Sequence, residues 1–158
     1  MQVNQRKAYG TPLIIPKGDK KQMISIGAKG VYSYDPYNGK ELWKATHRGW
    51  SIAPRPVYGE GLVFTMIDRD RPEMWAIRPN GKGDITKTHI EWKETKRMPP
   101  RASPLIVNGL LFVVDRNGYI SCLEAKTGKS IWQKRMRGRF SASPILANDL
   151  IYFFNEDT

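Results

Sequence analysis

A short motif in which proline precedes an apolar run recurs along this chain. It reads Gly10-Thr11-Pro12-Leu13-Ile14-Ile15, Ile52-Ala53-Pro54-Arg55-Pro56-Val57, Ala102-Ser103-Pro104-Leu105-Ile106-Val107 and Ala142-Ser143-Pro144-Ile145-Leu146. The four prolines Pro12, Pro54, Pro104 and Pro144 stand 42, 50 and 40 residues apart. Recurrence at this period is the mark of a repeat architecture, in which each unit buries its apolar faces only against its neighbours. A single irregular core is thereby excluded.

Further marks recur in register inside each interval. After the proline strand, Asn108-Gly109 leads into Leu110-Leu111-Phe112-Val113-Val114, and Asn117-Gly118 leads into Tyr119-Ile120-Ser121-Cys122-Leu123. The Asn117-Gly118 pair suits the two positive-φ positions of a two-residue hairpin turn. A turn at Glu124-Ala125-Lys126-Thr127-Gly128-Lys129 then precedes Ser130-Ile131-Trp132-Gln133-Lys134. In the first interval, Val31-Tyr32-Ser33-Tyr34-Asp35-Pro36 leads through Tyr37-Asn38-Gly39-Lys40 to Glu41-Leu42-Trp43-Lys44. Asp35 and Glu124 share one place before the turn, where a carboxylate accepts local backbone hydrogen bonds. The second interval departs in its last third: Glu73–Pro79 reads as a third strand, Asn80–Thr88 as an enlarged turn, and His89–Lys93 as the fourth strand. That insertion is expected to emerge as a surface loop.

Four strands in each period of this length make one propeller blade. The expected fold is therefore all-β: four-stranded antiparallel blades, about three and a half of them, forming a partial β-propeller domain over 1–158. The repeats fall at 11–48, 52–97, 102–138 and, incomplete, 142–158. No apolar stripe of helical period persists over ten residues, so helix should be nearly absent. Trp43, Trp92 and Trp132 fall at one position near the end of each fourth strand. There an indole ring is suited to cover the seam between blades while its N–H meets a backbone acceptor.

The pattern Ala102-Ser103-Pro104, Val107-Asn108-Gly109, Phe112-Val113, Asn117-Gly118 and Leu123–Trp132 resembles the repeat of the pyrroloquinoline-quinone-type β-propellers. That class includes quinoprotein alcohol dehydrogenases and a propeller lipoprotein of outer-membrane assembly. The resemblance runs from about Thr11 to Phe154. It implies a periplasmic or extracellular setting, and rings of seven or eight blades, so the sequence reads as about half a ring. Ile151-Tyr152-Phe153-Phe154 is then an uncapped strand with an exposed edge, and self-association is one expected way of covering it. No apolar leader precedes the repeats in Met1–Lys7, and Met1–Tyr9 offers no strand pair to complete the last blade. No run approaches the ~20 apolar residues of a membrane-spanning helix.

In quinoprotein dehydrogenases the resemblance implies a cofactor held against a vicinal disulfide, with calcium beside an aspartate. Cys122 is the only cysteine, which excludes such a disulfide in this segment, and it reads as a small buried hydrophobe. Asp68-Arg69-Asp70-Arg71 reads as a solvated loop with local ion pairs. His47 and His89 have no partners at zinc-ligand spacing. The serines before Pro104 and Pro144 recur with the repeat and read as strand-start residues, not as nucleophiles. No catalytic residue, metal ligand or cofactor is nominated.

The formal net charge of +11 concentrates in the connections between repeats. Arg48 follows the first repeat; Lys96, Arg97 and Arg101 follow the second; Lys134, Arg135, Arg137 and Arg139 follow the third. Blade periodicity gathers such connections on one rim, with Trp50 as the candidate exposed contact. The leading expectation is a noncatalytic segment for protein interaction or scaffolding. A fragment of a quinone-dependent dehydrogenase is the first alternative. Binding of an anionic ligand through the basic rim is the second; nucleic acid ranks last, since no base-stacking signature accompanies the charge.

Overall fold

The computed structural model describes residues 7–156. Every regular element among them is a β-strand, and they form four sheets in chain order. The first sheet contains β1 (Leu13–Lys17), β2 (Lys20–Gly27), β3 (Gly30–Tyr34) and β4 (Glu41–Thr46). The second contains β5 (Val57–Gly59), β6 (Leu62–Ile67), β7 (Glu73–Ile77) and β9 (Ile90–Glu94), and β8 (Gly83–Asp84) departs to join the first. The third contains β10 (Leu105–Val107), β11 (Leu110–Val114), β12 (Tyr119–Glu124) and β13 (Ser130–Arg135). The fourth has β14 (Ile145–Ala147) and β15 (Leu150–Tyr152). Within each sheet, consecutive strands pair antiparallel, as blades do. The expected Met1–Arg6 segment without leader or strand lies outside the described residues.

Burial follows the stacking. β6 is buried at all six positions, because its sheet is covered on both faces. One apolar core joins Ile24, Val31, Trp43 and Ala45 of the first sheet to Val63, Trp75 and Ile77 of the second. Another joins Phe64, Met66 and Met74 to Leu111, Val113 and Leu123 of the third. Toward the fourth sheet only Ala102, Val114, Ile120 and Phe140 form a small cluster. Serine hydroxyls tie the proline motifs together: Arg55 N donates to Ser103 Oγ (3.0 Å), and Ser103 N to Ser143 Oγ (2.9 Å).

Three local expectations are corrected. The insertion is not a free surface loop: Gly83–Asp84 add a parallel fifth strand to β4 of the preceding sheet, and Ile85 is 1% exposed in its core. The Lys44 carbonyl accepts the Ile85 amide (2.8 Å), and Thr86 Oγ1 accepts the Thr46 amide (2.8 Å). The apolar Ile85 gains burial by lying on the outer edge of the neighbouring sheet, an edge that would otherwise be bare. Asn117-Gly118 is not a two-residue turn; only Gly118 has positive φ (81°), and the Asp115 carboxylate caps a longer turn by accepting the amides of Asn117 and Tyr119. The two-residue turn is Asn108-Gly109, with φ of 47° and 77°. Of the two pre-turn carboxylates, Asp35 accepts a backbone amide, from Tyr37 (2.9 Å), whereas Glu124 instead accepts the Thr127 hydroxyl.

Candidate interaction face and the blade seams

Up-and-down pairing decides where each connection emerges. In a four-stranded blade, the turn between strands two and three and the connection from strand four to the next blade leave from the same side. The basic connections 47–56, 95–104 and 136–144 therefore share a face with the turns at Asp68–Pro72 and Asp115–Gly118.

On that face Trp50 is 41% exposed. Its indole N–H donates to Asp70 Oδ2 (3.1 Å), and the Arg69 guanidinium carbon lies 6.0 Å from its ring centre. The ring is held in place while one side meets solvent. No ion pair forms within Asp68–Arg71 among the described residues; Asp68 accepts the Asp70 amide (3.0 Å) and Asp70 takes the Trp50 indole instead. This corrects the expectation of local pairs, because a short turn satisfies carboxylates with its own donors sooner than it folds a flexible arginine back.

All of the basic rim residues are exposed, and two of them also engage the Tyr119 ring. Arg97 is built into the fold: it has φ of 58°, lies 3.7 Å from the Tyr119 ring centre, and pairs with Asp115 Oδ2 at 3.7 Å. Arg135 approaches the same ring at 5.4 Å. Arg48, Lys96, Arg101, Lys134, Arg137 and Arg139 are exposed. Between the first two sheets the face carries a cleft of about 390 Å³ lined in part by Arg48, Asp68, Arg71, Trp75 and Lys93. Lys93 Nζ sits 4.3 Å from the Trp75 ring centre. Its lining mixes both charge signs. His47 and His89 make separate local contacts, with the Gly49 amide and the Thr88 hydroxyl respectively. Among the described residues no group of three or more His, Cys, Asp or Glu side chains is placed to hold a metal ion. Cys122 is fully buried, and burial raises its thiol pKa.

The repeated tryptophans occupy three different surroundings. Trp43 is fully buried, and its Nε1 donates to Gln22 Oε1 (3.0 Å) and to the Pro79 carbonyl of the next sheet (3.2 Å). Gln22 Nε2 reaches the same carbonyl (3.0 Å), and Ser33 Oγ donates to Gln22 Oε1 (2.7 Å). Trp92 Nε1 donates to the Ala125 carbonyl of the third sheet (3.0 Å). Gly128, with φ of 72°, lies beneath the Trp92 ring, where an added Cβ would stand 2.7 Å from it. Trp132 is 44% exposed, touches Phe112 (6.1 Å between centroids), and its indole N–H has no acceptor among the described residues. The sequence reading missed Gln22. A lone glutamine within Lys20–Gly27 carries no signal until its neighbours across the seam are known.

The family model for the outer membrane protein assembly factor BamB matches residues 27–158. The crystal structure of BamB from Moraxella catarrhalis aligns with a TM-score of 0.69 at 13% identity, covering 92% of this chain and 40% of that one. A europium-containing methanol dehydrogenase aligns with a TM-score of 0.61 at 18% identity, covering 84% of this chain and 25% of that one. The quinohemoprotein alcohol dehydrogenase ADHIIG from Pseudomonas putida HK5 gives 0.59 at 20% identity, covering 81% and 20%. At these identities the structures establish a shared fold. The chain spans less than half the length of each. No curated protein is significantly similar in sequence to the chain.

Proposed function

Since the chain belongs to the family of the outer membrane protein assembly factor BamB, whose model spans 27–158, we propose that it is a noncatalytic propeller segment serving protein interaction in outer-membrane protein assembly, on the periplasmic side. The observation that carries this reading is the face where the inter-blade connections converge. It presents a fixed, half-exposed Trp50 beside Arg69, and exposed Arg101, Arg137 and Arg139.

That composition suits a protein surface. Tryptophan and arginine are enriched among the residues that anchor interfaces: the indole supplies a large contact area at little cost in side-chain ordering, and the guanidinium a planar fork of hydrogen-bond donors. Trp50 already spends its indole N–H on Asp70, so its ring binds without stranding a polar group. The surrounding positive charge favours an acidic partner and speeds encounter in a salt-dependent way.

The test is site-specific photo-crosslinking in cell envelopes from a photoreactive residue at Trp50 or Arg137, compared with one at Asn38 on the opposite face. The reading predicts adducts with outer-membrane assembly proteins from the first two positions and a marked loss on Arg137→Glu/Arg139→Glu. Equal adducts from Asn38, or lipid adducts alone, would contradict it.

A further inference from the structure

Trp75 is a tryptophan that the repeat does not require. The recurrent Trp43, Trp92 and Trp132 pair across their sheets with Ser33, Ala76 and Cys122. The residue before each of these partners marks one further repeat position, and it is held by Tyr32, Trp75 and Ser121. A place shared by a tyrosine, a tryptophan and a serine is not one where blade packing demands an indole. Trp75 is nonetheless only 4% exposed, and its Nε1 is buried without an acceptor among the described residues. A buried donor left unmet is costly, and beside a cleft it marks a place where an acceptor can bind.

The same indole lines the cleft at the mouth of the first seam, between two complete sheets. Charged groups of both signs line that cleft without pairing with one another. Arg71 and Lys93, and against them Asp68 and Glu73, form no ion pair among the described residues. Asp68 accepts the Asp70 amide, and the Lys93 ammonium lies over the Trp75 ring. Each keeps capacity beyond that contact, since a carboxylate accepts several hydrogen bonds and an ammonium donates three. A ligand of a single sign would meet two groups that repel it. A ligand carrying both signs meets partners for each.

The register sets how far apart those two charges should lie. Glu73 and Trp75 stand two residues apart on one face of β7, and Lys93 pairs with Trp75 across to β9. Two residues along a strand span about 6.8 Å. That is close to the extended length of a dipeptide, about 7 Å, and about twice that of a single amino acid.

We propose that this cleft binds a short zwitterionic peptide of about two residues, lying along β7. Glu73 and Asp68 hold its ammonium group. Lys93 holds its carboxylate, and a rotamer change of that flexible side chain, of a kind common on binding, gives the Trp75 indole N–H to the same carboxylate. The cleft volume of about 390 Å³ suits a small ligand of this class. Glu73, Trp75 and Lys93 take no part in the protein interaction proposed above, so the two readings stand or fall separately.

The probe is glycylglycine, titrated into the ¹⁵N-labelled chain and followed by NMR at the Trp75 indole N–H signal, which Trp75→Phe identifies by its loss. A saturating shift is expected at Trp75, with the Trp50 indole unmoved. N-acetylglycylglycine lacks the ammonium and glycylglycine amide lacks the carboxylate, and each should bind at least about tenfold more weakly, as for one lost charged hydrogen bond. Free glycine, too short to reach both ends, should be weakened by a similar factor. In Glu73→Gln the penalty for acetylation should fall while that for amidation stays, and in Lys93→Gln the reverse. The remaining signals of both variants should match the wild type, which reports that the fold is kept. A shift at Trp75 that does not saturate would overturn the proposal. So would equal binding of the blocked and free peptides, or glycine binding as tightly as glycylglycine.

Discussion

Replacing each repeated tryptophan by alanine sets one chemical change in three surroundings and asks the seams to reveal themselves. At Trp43 the ring is fully buried between two sheets. Truncating such a side chain costs about 3–5 kcal/mol, the sum of lost transfer free energy and the cavity left behind. The polar part of that cost is small, because Gln22 still reaches the Pro79 carbonyl and Ser33 still donates to Gln22. Trp43→Phe, which keeps most of the ring and removes the N–H, should therefore cost only about 1–2 kcal/mol. At Trp132 nearly half the residue is already in solvent and no seam acceptor is lost. Scaling full burial of a large apolar side chain by the buried half gives about 1–1.5 kcal/mol for Trp132→Ala. Trp92→Ala, with its Ala125 hydrogen bond, should fall between. Against a typical domain stability of about 5–15 kcal/mol these differences are large. Urea unfolding of the purified variants, followed by far-ultraviolet circular dichroism, measures them, and an unchanged denaturant slope confirms a common unfolding reaction. The order Trp43 > Trp92 > Trp132 is expected. A Trp132→Ala cost equal to that at Trp43 would mean that the third ring is as covered as the first, against its 44% exposure.

Three further outcomes follow from named contacts. Gly128→Val should destabilise by about 2 kcal/mol or more by thermal unfolding, because it combines a positive φ with a Cβ against the Trp92 ring; a neutral result would mean that the ring can move aside. Cys122 should resist alkylation at neutral pH, being buried with a raised pKa, and react at the rate of unfolding when urea is added; fast labelling of the native chain would contradict the packing of β12. The Asp84 carboxyl is held below its ordinary pKa of 3.8 chiefly by the Thr86 hydroxyl and amide, which favour the ionised form. A depressed carboxylate contributes stability above its unfolded value and loses it as pH falls through the lower folded value. The protection factor of the Ile85 amide, its exchange rate relative to the intrinsic rate at the same pH, should accordingly fall below about pH 4 in the wild type and be insensitive to that step in Asp84→Asn.

The fold was legible because it is written several times. Proline before an apolar run, a Gly-containing turn and a tryptophan closing the fourth strand each recur in register, and repetition converts weak local signals into one architecture. Where a position has no counterpart, reading from sequence failed. Asn80–Thr88 looks like a loop because its polar residues outnumber its single apolar one, yet Ile85 finds a place on the neighbouring sheet that only three-dimensional packing supplies. Asn108-Gly109 and Asn117-Gly118 are the same dipeptide in different turns. The difference lies in Asp115, whose carboxylate takes two backbone amides and lengthens the second turn. For the interaction face, sequence grouped the basic connections on one rim but did not single out Arg97, which is exposed yet engaged with Asp115 and Tyr119. That distinction depends on contacts between segments about twenty residues apart.

The molecule is a stack of blades with two closed seams and an exposed Trp132, and its five tryptophan indoles report on that arrangement together. Indole N–H hydrogen exchange by ¹⁵N NMR on the dilute, monomeric chain would measure all of them in one experiment. Slow exchange is expected for Trp43 and for Trp92, whose N–H groups are bound across seams, and fast exchange for Trp132. Protection of Trp132 equal to that of Trp43, or rapid exchange at all three, would contradict it.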